Sequence, residues 1–456
     1  MDNLGIVIFG ITSNLSQLKL IPALFELWRH GNINREVSIV GLSLRERSLE
    51  EMEKLFRDSL NTKKVIFEEN LFEDFWRHFI FLSGNLSEKE IYEKLHKQLL
   101  NKKINNVIFY LAVHPNLYEG IFENLKAEKL NKNAKGFVKV MIEKPIGNDY
   151  VSAKKLNDLM SRYFSEEQIF RIDHYLAKET IQNILTFRFH NKIFEPLWNK
   201  EMIDHIQVTV AEDFGVEMRN AYYDSVGALK DVGQNHVLQM LALTLMKKPN
   251  RFDNKEITAE RMAVFNNLIP HSETLVLGQY ENYSQDKPVT DTFFAFKTEL
   301  NSEEFKGVPI YVRSGKKLRQ TVTEISIIFK NEADKDPNVL IFRIQPNEGI
   351  VLEMAVKKPG LEMKCEKGSM QFCYHQLGKL SEAYEKLLMD AINGEQTYFN
   401  DAVEVESQWK FIDALLAKNA KINIYSKGSW GPKEASELIE KDGRKWLEPS
   451  LALCRI

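Results

Sequence analysis

The first 150 residues alternate between two patterns of apolar and polar positions. Short continuous apolar runs read as strands: LGIVIF (4–9), VSIVG (37–41), FIFLSG (79–84), NVIFYLA (106–112) and VKVMI (138–142). Between them, stretches such as LKLIPALFELWRHG and SLEEMEKLFRDSL place apolar residues at helical spacing. Strands that are apolar throughout are buried on both faces, and their alternation with helices predicts a parallel, doubly wound sheet. After about residue 175 the rhythm changes. MIDHIQVTVAEDFG, TDTFFAFKTEL, EISIIF and VLIFRIQ are longer and partly alternating, which predicts an antiparallel sheet with one covered face. Helical SEAYEKLLMDAI and AVEVESQWKFIDALLAK interrupt and follow them. The expected architecture is an α/β, Rossmann-like doubly wound domain over residues 1–172. An α+β domain with a large, mainly antiparallel sheet is expected over 173–456. No repeat or low-complexity linker separates the two, so the default ligand crevice lies at their junction.

Composition narrows the function. The chain has 456 residues, 44% hydrophobic and 27% charged, with a net charge of -3. That balance fits a globular protein and argues against nucleic acid or an anionic membrane as partner. An anionic ligand must therefore be held by a local cluster of Lys, Arg and His. The three cysteines, Cys365, Cys373 and Cys454, are too few and too scattered for a disulfide framework or a zinc site. That points to a reducing, intracellular compartment. The start, MDNLGIVIFGITSN, lacks the pattern of a signal peptide, and no apolar run approaches the ~18 residues of a membrane span. A cytoplasmic protein without a metal is expected.

Two regions carry candidate chemistry. The first strand runs into GITSNLSQLK (10–19), where a dinucleotide fingerprint wants glycines so that backbone N–H groups can approach a pyrophosphate. Only Gly10 is present, and Ser13 and Ser16 stand where later small residues belong. An ordinary βα turn is the competing reading. The second strand ends in GLSLRER, with Arg45 and Arg47 and no acid before Glu46. Arginine there favours the 2′-phosphate of NADP over the free ribose of NAD, unless both are solvated loop charges. Lys144, in IEKPIG, falls at the carboxyl edge of a parallel strand, where such folds bind ligands.

The second region is RIDHYLAKE (171–179). If it is helical, His174 and Lys178 share a face with Tyr175 beside them, a set suited to a phosphate monoester. Asp173 then points elsewhere. Downstream, VGALKDVGQNHVLQM offers His236 as a general base, which needs a carboxylate to orient it. Asp231 is five residues away, a poor spacing on an α-helix, and Asp173 is the other candidate. A structural histidine is the bland alternative. RSGKKLR (313–319) is a third basic cluster, equally readable as a solvated turn.

Together these stretches resemble the glucose-6-phosphate dehydrogenase family, collinearly over nearly the whole chain. The resemblance runs through GITSNLSQLKLIPAL, EKPIG, RIDHYLAKE, NKIFEPLWN, DVGQNHVLQM, GVPIYVRSGKK, RIQPNEGI and GSWGPKEA. It implies oxidation of glucose 6-phosphate at C1 with NADP, the first step of the oxidative pentose phosphate pathway, with NAD as the alternative acceptor. It implies His236 as general base and Asp173 as its carboxylate. It implies Lys19, Lys144, His174, Tyr175, Lys178, Glu212, Asp231 and Lys316 around the substrate. Around the cofactor it implies Gly10, Thr12, Ser13, Asn14, Leu15, Arg45, Ala112, Glu143 and Lys144. A homodimer or homotetramer through the second domain's sheet is implied as well. For an additional structural NADP, Arg343, Lys357 and Lys358 are candidate charges, equally readable as surface charge. The departures cluster on the cofactor side: Ser13, Asn14 and Ser16 replace Gly, Asp and Ala of the usual turn, and Thr321 stands where a basic residue is usual. A sugar-phosphate-binding homologue with an impaired cofactor site is the competing reading.

Overall fold

The computed structural model describes residues 3–216, 220–283, 290–332, 336–378, 380–418, 420–449 and 454. By packing the chain divides into two compact units. The first comprises residues 1–147, 151–177 and 381–402, and the second residues 148–150, 178–380 and 403–456.

In the first unit, six strands form one parallel sheet: β1 (Leu4–Phe9), β2 (Ser38–Ser43), β3 (Phe79–Ser83), β4 (Asn106–Leu111), β5 (Val138–Ile142) and β6 (Ile169–Arg171). The order is β3-β2-β1-β4-β5-β6, the dinucleotide-binding arrangement. The five apolar runs are the first five strands. The three-residue β6 pairs with β5 as a sixth parallel strand that none of the apolar runs marked. The expected helix after β2 forms as Leu49–Thr62 because its start is closed from both sides. The Ser48 hydroxyl accepts the Glu51 N–H at 3.2 Å, and the Glu51 carboxylate accepts the Ser48 N–H at 3.0 Å.

SEAYEKLLMDAI was expected in the second domain but packs in the first unit. Its helix, Ala383–Asn393, buries Tyr384, Leu387, Leu388, Ala391 and Ile392 in the same core as the parallel sheet. Lys139 of β5 fastens its end. The ammonium donates to the Ala391 and Ile392 carbonyls at 2.7 and 3.0 Å, satisfying acceptors that a helix terminus leaves over.

The second unit is built on β7 (Ile203–Ala211), β8 (Leu268–Pro270), β9 (Val276–Tyr280), β10 (Phe293–Leu300), β11 (Pro309–Gly315), β12 (Val322–Phe329), β13 (Val339–Gln345), β14 (Gly349–Lys357), β15 (Cys365–Cys373) and β16 (Ile422–Tyr425). The sheet runs β15-β14-β13-β12-β7-β11-β10-β9-β16, with β8 on β10. Its pairings are antiparallel except β7 with β11 and β9 with β16. The large, mainly antiparallel sheet is therefore as expected.

The cysteines are a correction. Cys373 and Cys454, 81 residues apart, are joined as a disulfide, and Cys365 is free and exposed. Sequence spacing hid the pair because its members lie 81 residues apart, and no local pattern joins them.

Candidate active site

The candidate residues fall on both units and are described unit by unit. In the first, β1 and β4 are neighbours at the point where strand order reverses. Gly10 ends β1 with φ +85, a conformation that side-chain-bearing residues rarely adopt. A Cβ there would stand 2.6 Å from the Ala112 carbonyl oxygen. Only glycine permits this approach of two strand ends, so two predicted cofactor residues are pressed together at the switch point.

The serines that replace the usual glycine and alanine close the turn. The buried Ser16 hydroxyl donates to the Gly10 carbonyl at 2.9 Å. The Ser13 oxygen accepts the Ser16 N–H at 3.2 Å, and the Ser13 N–H donates to Gly10 at 2.9 Å. Gln17 donates to the Thr12 carbonyl at 2.9 Å, while Asn14 is exposed and Leu15 half-buried. The turn is thus a tied loop ahead of a helix, a shape that suits a pyrophosphate. Arg45 is exposed just past the carboxyl end of β2, and its carbonyl accepts the Ser43 hydroxyl at 2.9 Å.

A π-helix, Ser16–Leu20, carries Lys19. Partial burial, and then the nearby Lys63 ammonium, lower the Lys19 pKa. Its ammonium lies 5.8 Å from the centre of the Tyr384 ring and 3.9 Å from Glu382. Tyr384 also donates to Glu143 at 3.1 Å, and Tyr110 donates to the same oxygen at 2.5 Å. Burial nevertheless raises the Glu143 pKa, against the pull of these donors and of Lys144. Tyr384 lies near His174 as well, with the rings 6.4 Å apart and stacked. Sequence reasoning missed Tyr384 and Tyr110. Tyr384 lies more than 200 residues after His174, and no local pattern points to it.

RIDHYLAKE is not helical up to Lys178. Residues 174–177 form a turn, and the helix Glu179–His190 begins only after Lys178, its N-cap. The Asp173 carboxylate takes the Tyr175 N–H at 2.9 Å, a local bond that competes with helix. Asp173 and Tyr175 are buried and His174 half-buried. His174 and Lys178 therefore do not share a helix face.

In the second unit, the Lys178 ammonium donates to the Gln345 side-chain oxygen. Gln345 lies in RIQPNEGI, a stretch the resemblance included without assigning it a role. Glu212 and Lys316 were expected as separate substrate contacts, yet they form an ion pair at 2.5 Å. The Lys316 ammonium also lies 5.3 Å from the centre of the Tyr223 ring. The Tyr223 hydroxyl is buried without a hydrogen-bond partner among the described residues, and burial raises its pKa well above the usual value. Tyr223 is a third residue that sequence reasoning missed.

Asp231 and His236 lie on a π-helix, Leu229–Val237. Backbone bonds that span five residues stack positions i and i+5, whereas an α-helix sets them well apart. The spacing that seemed poor for Asp231 and His236 therefore places them toward one side. His236 is buried, at 3% exposure. The segment is set by the kink before it. Gly227 has φ +75 and ψ 170, and a Cβ there would overlap an Asp291 carboxylate oxygen at 2.1 Å. That carboxylate accepts the Leu229 N–H at 2.8 Å, and burial pushes its pKa up to about 6.

A parallel sheet in dinucleotide-binding order, with a glycine turn at its switch point, defines the class of nicotinamide-dependent oxidoreductases. Two family models match the chain. Glucose-6-phosphate dehydrogenase, NAD binding domain, covers residues 7–183, and glucose-6-phosphate dehydrogenase, C-terminal domain, covers 185–447. The chain belongs to the glucose-6-phosphate dehydrogenase family. It is 40% identical to glucose-6-phosphate 1-dehydrogenase of Borreliella burgdorferi, over 97% of this chain and 98% of that protein. It is 38% identical to that of Aggregatibacter actinomycetemcomitans, over 98% of both. Among solved structures, a glucose-6-phosphate dehydrogenase in complex with its substrate glucose-6-phosphate superposes with a TM-score of 0.92. That match has 32% identity and covers 98% of this chain and 99% of that one.

Proposed function

We propose that this protein oxidises D-glucose 6-phosphate at C1 to 6-phospho-D-glucono-1,5-lactone with NADP. The observation that carries the reading is the π-helix that bears buried His236 and half-buried Asp231 five positions apart, a spacing that supports a base and a hydroxyl-binding acid acting on one sugar. In this reading the His236 imidazole takes the proton of the 1-hydroxyl, and Asp173 stabilises the imidazolium that forms. His174, Tyr175 and Lys178 hold the phosphate, which fixes C1 at the reaction distance. Glu212, Asp231 and Lys316 hold the sugar, and Lys19 and Lys144 lie between substrate and cofactor. The bound dinucleotide supplies the acceptor for the C1 hydrogen with its electron pair. Gly10, Thr12, Ser13, Asn14, Leu15, Ala112 and Glu143 line its site, with Arg45 for the 2′-phosphate.

The tied turn at Gly10 supports an enzyme over a homologue with a failed cofactor site, because its serines close the loop rather than deform it. Glucose 6-phosphate with NADP or NAD, followed by the absorbance of reduced cofactor, tests the reading. Reduction with NADP at lower KM than with NAD is expected. Calorimetric binding of the sugar phosphate with no reduction of either cofactor would leave only a binding protein.

A homodimer, or a tetramer of dimers, is the proposed assembly. The exposed Leu361, Met363 and Met370 at the β14–β15 edge support it, and sedimentation tests it. No helix among the described residues is long and apolar enough to cross a membrane, and a cytoplasmic location is proposed.

A further inference from the structure

GSWGPKEA (428–435) supplies none of the proposed substrate or cofactor residues, yet it lies against the turn that carries Lys316. That turn leaves β11 at Gly315 and is held from both sides. On one side the Glu212 N–H donates to the Gly315 carbonyl at 3.0 Å, and the Leu318 N–H to the Glu212 carbonyl at 2.9 Å. The Lys317 N–H donates to the Phe214 carbonyl at 3.1 Å. On the other side the Gly428 N–H donates to the Lys317 carbonyl at 2.8 Å, and the Arg319 N–H to the Ser429 carbonyl at 2.9 Å. Leu318 and Ser429 form a parallel bridge. Gly431, at φ +102, seats this segment on β10, because a Cβ there would stand 2.3 Å from the Phe293 ring.

The backbone needs such support. Lys317 has φ 51, in the left-handed region that residues with a Cβ rarely adopt. A residue keeps that conformation only where the surrounding bonds over-determine it. Lys316, immediately before it, has both of its backbone polar groups committed. Its N–H donates to the Thr292 carbonyl at 2.9 Å, and its carbonyl accepts the Tyr425 hydroxyl at 2.6 Å. The Thr292 and Tyr425 hydroxyls meet at 3.0 Å. A phenol has one hydrogen, and the Lys316 carbonyl at 2.6 Å takes it ahead of the Thr292 carbonyl at 3.3 Å. Thr292 is therefore the donor between the two hydroxyls, and its own oxygen accepts the Tyr280 N–H at 3.0 Å. The bonds run in one direction, from Tyr280 of β9 through Thr292 to Tyr425 of β16 and on to Lys316, each polarising the next. Thr292 and Tyr425 are buried, at 0% and 3% exposure, where such bonds are stronger than in water.

We propose that Tyr425 is a positioning residue for Lys316: its hydroxyl, aimed by Thr292, fixes the backbone from which the ammonium reaches the sugar. The proposal rests on the substrate role given to Lys316 above. Tyr425 acts through Lys316 alone, and GSWGPKEA is the clasp that keeps the lysine's turn in place around it. Without the phenol oxygen the Lys316 carbonyl loses its partner, and the turn can relax about the left-handed Lys317. The ammonium then spends less time where the sugar arrives. Binding weakens, while the proton transfer at C1 is left to its own residues.

The experiment is steady-state kinetics of the full chain with glucose 6-phosphate and NADP. Tyr425→Phe should raise KM for glucose 6-phosphate about fivefold, the size of one buried hydrogen bond, with kcat and the KM for NADP little changed. Thr292→Val removes the hydroxyl that aims the phenol and should move KM the same way, whereas Thr292→Ser keeps that hydroxyl and should not. The decisive arm is the Lys316→Ala background. There Tyr425→Phe should have no further effect on KM, because no ammonium is left to place. An unchanged KM in Tyr425→Phe, an equal rise in both backgrounds, or a fall in kcat at constant KM would each overturn the positioning role. Lys316→Ala by itself separates the two ideas. An unchanged KM in that variant removes Lys316 from the substrate site, and the positioning role falls with it. A raised KM there, with none in Tyr425→Phe, sinks the role of Tyr425 alone.

Discussion

The Lys316 ammonium and the Glu212 carboxylate meet at 2.5 Å although 104 residues separate them in the chain. The sheet brings them together. β7 and β11 pair in parallel with Ala211 opposite Gly315, so the next residue of each strand emerges beside the other. The Glu212 N–H confirms the register by donating to the Gly315 carbonyl at 3.0 Å. In the proposed reaction each group meets the sugar already holding the other. Lys316→Ala is therefore expected to raise KM for glucose 6-phosphate about tenfold, the size of one charge-assisted hydrogen bond. In Glu212→Gln/Lys316→Ala the losses should fall short of additive by about 1 kcal/mol. Strictly additive effects would mean that the pair is not shared with the substrate.

His236 is buried on a π-helix, where its replacement by an isosteric amide leaves the packing in place. His236→Asn is expected to lower kcat by about 10²–10⁴ while calorimetric affinity for glucose 6-phosphate survives. Loss of turnover and binding together would contradict a role as base.

Arg45 stands exposed past the end of β2. Arg45→Asp should raise the KM for NADP about tenfold and leave that for NAD near its starting value, since only NADP carries the 2′-phosphate. Equal changes for both cofactors would assign Arg45 to the loop and not to the ligand.

Lys139 gives a prediction with a definite sign. Burial lowers its pKa from 10.5 to about 8 in the folded protein. Below about 8 both states carry the proton, and folding bears the full cost of a buried charge. Between about 8 and 10.5 the unfolded chain keeps a proton that the folded chain has released, so rising pH stabilises the fold through this group. The thermal midpoint of the wild type relative to Lys139→Met should therefore rise as pH goes from 8 to 10. A gap that stays flat across that window would show that the ammonium is not destabilised where it sits.

Much of the first unit was legible because its strands are continuous apolar runs bounded by glycine or polar turns. The three-residue β6 was not, since so short a strand has no period to read. RIDHYLAKE misled in conformation: its spacing fits a helix, but the Asp173 carboxylate takes a backbone N–H two residues on and holds a turn. Asp231 was discounted as a neighbour of His236 by α-helical geometry, and the π-helix changes that geometry. Side-chain sequence carries no clear signal for a π-helix, which here follows from the Gly227 kink and the Asp291 carboxylate, 64 residues apart in the chain.

The sequence by itself determined the order of a parallel sheet followed by a mainly antiparallel one, the family and the residue types of the candidate site. Those depend on local periodicity and on motifs, and both are written in neighbouring residues. Tertiary structure alone decided that Tyr384 returns to Glu143 and Lys19, that Glu212 is paired with Lys316, and that Cys454 reaches Cys373. Each joins positions more than 80 residues apart, and such contacts are chosen by sheet register and by the burial of whole elements. No window along the chain contains that information.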